Sequence, residues 1–203
     1  MKTLVMNLLL IFLLFNFCYA QDAIVKLENA YKNINDANGS FMQTNYIKEL
    51  NKNQQFKGVF FIKGNKIRWQ YIGEFPQTIY INNKTLTIYD KKRKQAIISE
   101  FNEEKYGQLP LALLSRMADL KKDFEVKEKS DSTIILIPKS KMGNVKSIEI
   151  TLTEAEFPVK SMKIIDAMEN IVKIDLKDVK INTSLKNSLF LFTPKKDDTV
   201  LKY

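Results

Sequence analysis

The stretch FFIKGNKIRWQY, residues 60–71, decides the fold. Apolar and polar side chains alternate on both sides of a Gly64-Asn65 break, and a period of two marks a strand whose two faces differ. A glycine–asparagine break between two such runs is hairpin chemistry, so the stretch reads as two adjacent antiparallel strands. Ile67, the single tryptophan Trp69 and Tyr71 share one face, with Arg68 opposite. Across the turn Phe60 and Ile62 share a face, with Phe61 and Lys63 out of phase. Bulky apolar groups stand in both phases. The pattern therefore leaves open which face turns inward, and whether that face packs a core or lines a cavity.

The same period runs outward in both directions. FMQTNYIKE and QFKGVFFIK precede the turn; QTIYIN, TLTIYD and KQAIISE follow it; FEVKEK, STIILIPK, VKSIEITLT, VKSMKIID and NIVKIDLKDVK come later, and SLFLFTP is a last short extended run. Turn residues at Asn82-Asn83 and Asp90-Lys91 separate neighbours as in an antiparallel meander. Two segments break the period. DAIVKLENAYKNI, from Asp22, repeats Ile24, Leu27, Tyr31 and Ile34 at helical spacing, and LPLALLSRMADL reads as a short helix with Pro110 in its first turn. The expectation is a mainly β (α+β) chain: an antiparallel sheet of about eleven strands with two or three helices covering one face. So long a sheet curls toward a barrel or splits into a sandwich. Without internal repeats, linkers or low-complexity tracts, residues 21–203 read as a single domain.

Residues 1–20 read as a secretory signal peptide: Lys2, then the apolar run LVMNLLLIFLLF, then CYA ending at Ala20. The one cysteine, Cys18, falls inside it, with Asn16 and Phe17 before it where a lipoprotein signal needs small residues. The mature chain is thus expected outside the cytoplasm, in the periplasm, without disulfides or a lipid anchor. The full chain's 32 basic and 23 acidic side chains give +9, or +8 once Lys2 is removed with the signal. That balance suits a solvated lysine-rich surface and also suits acidic partners or anionic lipid.

Histidine is absent and cysteine is confined to the signal, which removes the commonest general base, the thiol nucleophile and the nitrogen and sulfur metal ligands. Glu103-Glu104 and Asp197-Asp198 are adjacent pairs that diverge on a strand, and the six glycines form no phosphate loop. The sequence is read as a non-enzyme with no catalytic or metal site, no cofactor and no nucleic-acid partner.

Taken in order, the N-terminal helix leading into GSFMQT, then GVFFIKGNKIRWQY, QTIYINNKTLTIYDKKRKQA, LPLALLSR, IDAMENIVKIDLKDVKIN and LFLFTP resemble the outer-membrane lipoprotein carrier family, LolA, across the mature chain. Where that family commonly has a basic residue followed by proline and glycine, this chain has Lys63-Gly64-Asn65; Lys195 stands where a second proline is common, and the Asp166–Asn170 turn lacks its glycine. The resemblance implies an incomplete barrel with an apolar, helix-lidded cavity for lipoprotein acyl chains. It implies a monomeric carrier that accepts lipoproteins from an inner-membrane ABC lipoprotein-releasing complex and passes them to an outer-membrane lipoprotein receptor. Candidate cavity residues are Phe60, Ile62, Ile67, Trp69, Tyr71, Leu111, Leu113, Leu114 and Met117; Lys63 and Arg68 are candidate lid contacts. A half-barrel sensor of lipid or lipoprotein, an outer-membrane acceptor, and a general lipid shuttle of the same fold remain alternatives.

Overall fold

The computed structural model describes residues 22–102, 114 and 120–203. Helix α1 (Asp22–Lys32) leads into six strands: β1 (Asp36–Ile47), β2 (Lys52–Lys63), β3 (Lys66–Ile72), β4 (Gln77–Asn82), β5 (Thr85–Asp90) and β6 (Gln95–Glu100). A short α2 (Leu120–Asp123) precedes β7 (Phe124–Ser130), β8 (Thr133–Pro138), β9 (Val145–Leu152), β10 (Val159–Asp166) and β11 (Ile171–Ile181). A 3-10 turn at Asn187–Phe190 and β12 (Thr199–Lys202) complete the order.

All of these strands join one twelve-stranded sheet in the order β12-β6-β5-β4-β3-β2-β1-β11-β10-β9-β8-β7. Every pairing is antiparallel except β12 on β6. The eleven strands expected from the period-two runs are all present as β1 to β11. Two expectations need correction. β1 begins at Asp36, ahead of Phe41, because residues 36–40 pair with β2 and, through a register shift near Gly39, with β11. SLFLFTP is not extended throughout: it opens in the 3-10 turn, and the last strand lies beyond it at Thr199–Lys202.

One face of the sheet is apolar along nearly its whole width. Register places Phe60 opposite Trp69, Trp69 opposite Ile79, and Ile62 opposite Ile67, which is opposite Ile81. In the other half Met162 faces Ile150 and Ile174, and Ile148 faces Leu136. These side chains form a single buried cluster with Ala23, Ile24 and Leu27 of α1, so this is the inner face. The sheet is open and curled around it. Phe157, in the β9–β10 loop, brings its ring to 6.5 Å from Phe60 on β2. A flat sheet sets β2 and β10 about 14 Å apart, three strand spacings. Tyr31 of α1 packs on Phe157 at 5.5 Å, and the backbone N–H of Leu120 donates to Glu28 of α1 at 3.2 Å. The helix expected over LPLALLSRMADL lies outside the described residues except for Leu114, which is helical and buried, and Leu120, which opens α2.

The outer face of β2 to β6 is crossed by the chain after β11. Lys63 Nζ donates to the Leu185 carbonyl at 2.5 Å and Lys66 Nζ to Asn187 at 3.0 Å. Phe190 is buried, and the Phe192 ring lies 6.0 Å from Tyr80 and 5.0 Å from Tyr89. Buried Asp36 anchors the start of this strap by accepting from the N–H groups of Thr183 and Leu185 and from the Thr183 hydroxyl. Burial opposes the Asp36 carboxylate, but those three bonds and the charge of Lys63 outweigh it and hold its pKa below the ordinary value.

Candidate functional site

The centre of the inner face is a group of rings assembled across three strands. Phe41 of β1 and Trp69 of β3 stack at 3.9 Å, although β2 runs between them. They meet because the intervening residue is Gly58, which pairs with Phe41 on one side and Tyr71 on the other. A Cβ built there would fall 2.5 Å from Cζ of Phe41 and inside contact with the Gln70 carbonyl oxygen. Glycine is therefore required by close approach, not by a turn. Phe41 also meets Tyr71 edge-on at 5.5 Å, Phe56 meets Tyr71 at 5.8 Å, and Phe60 lies 5.8 Å from Trp69. Edge-on and offset pairs of this kind bury large apolar area at well-defined geometry.

The group opens at one rim of the sheet. A cleft of about 540 Å³ is lined by Gln43, Phe56, Tyr71, Phe75, Gln77 and Arg93, among others. Its volume lies in the range of small-molecule and lipid-sized pockets. Its polar floor is internally satisfied: Tyr71 donates its hydroxyl to Gln43 at 3.0 Å, and the Gln43 amide donates to Asn45 at 2.8 Å. Burial pushes the Tyr71 phenol above its ordinary pKa and the Tyr31 phenol well above it, so both stay neutral at physiological pH. The charges near the cleft, Asp90, Lys92 and Arg93, sit at its lip on the β5–β6 turn. An apolar wall, a satisfied polar floor and charge only at the opening can receive an uncharged chain. They offer no acid–base pair, and the described residues hold no cluster of three metal-ligating side chains.

The candidate residues fall into three groups. Phe60, Ile62, Ile67, Trp69 and Tyr71 all stand on the inner face; the first four are buried, and Tyr71 is half-buried at the cleft. Leu114 is buried, while Leu111, Leu113 and Met117 lie outside the described residues. Lys63 and Arg68 stand on the outer face. Lys63 holds the strap, and the Arg68 guanidinium sits 5.6 Å from the Phe61 ring and 5.6 Å from the Tyr80 ring while donating to Gln70 at 2.9 Å. Phe41, Phe56, Gln43 and Phe75 are not among the candidates read from sequence. The signal for Phe41 is a glycine in the centre of the neighbouring strand, which needs a cross-strand ring to fill its space.

An open curled sheet wrapped on a helix, with a ring-lined cleft at one rim, is the half-barrel fold. It is shared with an uncharacterized conserved protein from Thermus thermophilus, whose crystal structure aligns at a TM-score of 0.58 with 10% identity over 90% of this chain and 98% of that one. A LolA superfamily protein from Nitrosomonas europaea aligns at 0.50 with 10% identity, over 86% and 98%. The chain belongs to the outer membrane lipoprotein carrier protein LolA family, which it matches over residues 32–193. Relatives named outer-membrane lipoprotein carrier protein include that of Dechloromonas aromatica, 24% identical over 85% of this chain and 84% of its own length. The Neisseria meningitidis serogroup C protein is 27% identical over 90% and 86%. That of Francisella tularensis subsp. novicida is 28% identical over 99% and 97%.

Proposed function

We propose that this LolA-family chain is a periplasmic carrier that shields lipoprotein acyl chains between the inner membrane and the outer membrane. One observation carries the reading: the ring group Phe41, Phe60, Trp69 and Tyr71 lies on the inner face behind a cleft open at the rim. Each acyl methylene exposed to water costs about 0.8 kcal/mol, so a lipid-modified polypeptide does not leave a bilayer unaided. A neutral ring-walled surface offsets that cost without any covalent step. Release is served by rings already packed against one another, because arriving chains must displace those contacts and the net gain is smaller than for an empty hole. The signal peptide at residues 1–20 supplies export, the domain is residues 21–203, and the partners are a releasing transporter in the inner membrane and a receptor in the outer membrane.

The test is release. Purified mature chain is added to inner-membrane vesicles carrying the ABC releasing complex, ATP and a lipoprotein, and the soluble fraction is assayed for a one-to-one complex. Soluble lipoprotein that depends on both the chain and ATP supports the reading. Lipoprotein retained in the membrane, with the complex active toward another carrier, refutes it.

A further inference from the structure

The rim that opens the cleft carries a second feature. Register puts the loops at residues 48–51, 73–76, 91–94, 139–144 and 167–170 at the same end of their strands. Hydrogen bonds tie neighbouring loops together. The Lys91 N–H donates to the Pro76 carbonyl at 3.1 Å, the Lys48 N–H to the Asn170 side chain at 3.0 Å, and the Ala167 N–H to the Asn144 carbonyl at 2.8 Å. Four large apolar side chains stand out from this rim: Leu50 at 58% exposure, Ile72 at 48%, Phe75 at 66% and Met168 at 63%. They come from three different loops and a strand end, with polar residues between them.

The same rim is cationic. The β5–β6 turn is KKRK at 91–94, and Lys139 and Lys141 lie in the β8–β9 loop. Acidic groups there are fewer: Glu49, Glu74, Asp90, Asp166 and Glu169, the last bonded to Lys48 and Asp166 held within its own turn by the Met168 and Asn170 N–H groups. Arg93 leans on Asp90 at 3.7 Å and Lys94 on Asp197 at 3.6 Å, while Lys91 and Lys92 make no ion pair among the described residues.

We propose that this rim is a docking surface for an anionic lipid bilayer. Apolar tips on separate loops, with the basic KKRK turn on the same rim, suit insertion to a common shallow depth beneath a layer of anionic headgroups. A protein partner is met instead by a contiguous apolar core with charges excluded from it. Three features of its loop hold Phe75 outward: Gly73 at φ 118 turns the chain, Pro76 stiffens its end, and the Lys91–Pro76 bond fastens it to the basic turn. Since Phe75 and Arg93 also line the cleft, docking sets the opening of the cavity against the headgroups. Docking goes beyond the carrier reading, and the two are tested apart.

The experiment is vesicle flotation of the purified, lipoprotein-free mature chain. Vesicles of equal parts phosphatidylglycerol and phosphatidylcholine are compared with phosphatidylcholine alone, from ~0.1 M to ~1 M salt, where the screening length falls from ~10 Å to ~3 Å. Binding to the anionic vesicles is expected at low salt and lost at high salt. K91Q/K92Q should weaken it about thirtyfold, each cation near such a surface counting for roughly fivefold. F75S and, separately, L50S/M168S should weaken it at unchanged charge, with melting temperatures checking that the variants fold. Equal binding to both vesicle types, or rim variants that float like the parent, would overturn the proposal, as would rim variants that lose contact only with a membrane protein. A fluorescent hexadecyl probe in the same preparation separates the readings. Probe uptake without flotation refutes docking alone, and flotation without uptake refutes the cavity alone.

Discussion

Gly58→Ala puts the assembly of the ring group to its sharpest test. Removing a glycine from a strand normally helps, by about 0.4–1 kcal/mol, because the unfolded chain loses freedom. Here the added methyl would stand 2.5 Å from Cζ and 2.6 Å from Cε1 of Phe41, against the Gln70 carbonyl. The carbonyl belongs to β3 and is held beside β2 by the ladder, so it cannot retreat without breaking the Val59–Gln70 pairing. The ring must move instead, and its movement ends the 3.9 Å stack on Trp69. Overpacking costs about 1–3 kcal/mol and a lost aromatic pair about 0.5–1.5, which together, less that gain, set a net destabilisation of about 1–4 kcal/mol. For a chain of this size that lowers the melting temperature by roughly 2–15 °C. The assay is thermal unfolding by circular dichroism, with the emission of the single tryptophan recorded alongside; the spectrum should shift to the red as Trp69 loses its cover. A variant that melts at or above the parent temperature with unchanged emission would show that Phe41 does not lie over Gly58, and the account of the ring group would fall with it.

Trp69 is completely buried beside Phe41, so its emission in the free chain should be blue and resistant to iodide; a nitroxide-labelled hexadecyl chain should quench it, and failure to quench would place the acyl site elsewhere. Asp36→Asn should cost about 2 kcal/mol at neutral pH, since charged acceptors of hydrogen bonds contribute about 1.5–3 kcal/mol. The folded pKa of Asp36 lies below its unfolded value of roughly 3.9, so its contribution is full above that value and is lost as pH falls through the lower folded one. Urea midpoints of parent and variant should therefore hold their gap above about pH 5 and converge as pH falls below the unfolded pKa and through the lower folded one. A gap that stays constant would mean that the carboxylate does not hold the strap. Phe192→Ala should remove about 2 kcal/mol, below the fully buried range because the ring is half-buried, and should raise hydrogen exchange in β12; exchange unchanged there would separate the strap from the edge it leads to.

The strands were legible because half-buried antiparallel runs carry a period of two, and α1 because Ile24 and Leu27 repeat at helical spacing. Phase was not legible in FFIKGNKIRWQY, and the structure shows why. On the other side Arg68 lies between the Phe61 and Tyr80 rings, and the strap packs on Tyr80 through Phe192, so both faces of the hairpin meet apolar or aromatic partners. Lys63 offered only a charge to the reader of sequence. Its partner, the Leu185 carbonyl, lies 122 positions away and is a backbone atom that any residue would supply. β12 is four residues long, and its parallel pairing requires a crossover that no local pattern announces. The rim cleft escaped for a related reason: Gln43, Phe56, Tyr71 and Arg93 come from separate strands and turns, and only the register brings them together.

Among the described residues the sheet ends in two strands, β12 and β7, that share no ladder with one another. In a closed barrel, strand number and stagger set the girth, and a bulkier guest can be admitted only by breaking hydrogen bonds. Here the circumference has a seam. Widening it separates side-chain contacts but leaves every inter-strand bond made, so added bulk meets a soft coordinate of the sheet. On the carrier reading, tolerance of guests with different numbers of chains is a property of topology, and a covalent clasp across the seam would abolish it without touching a single residue of the wall.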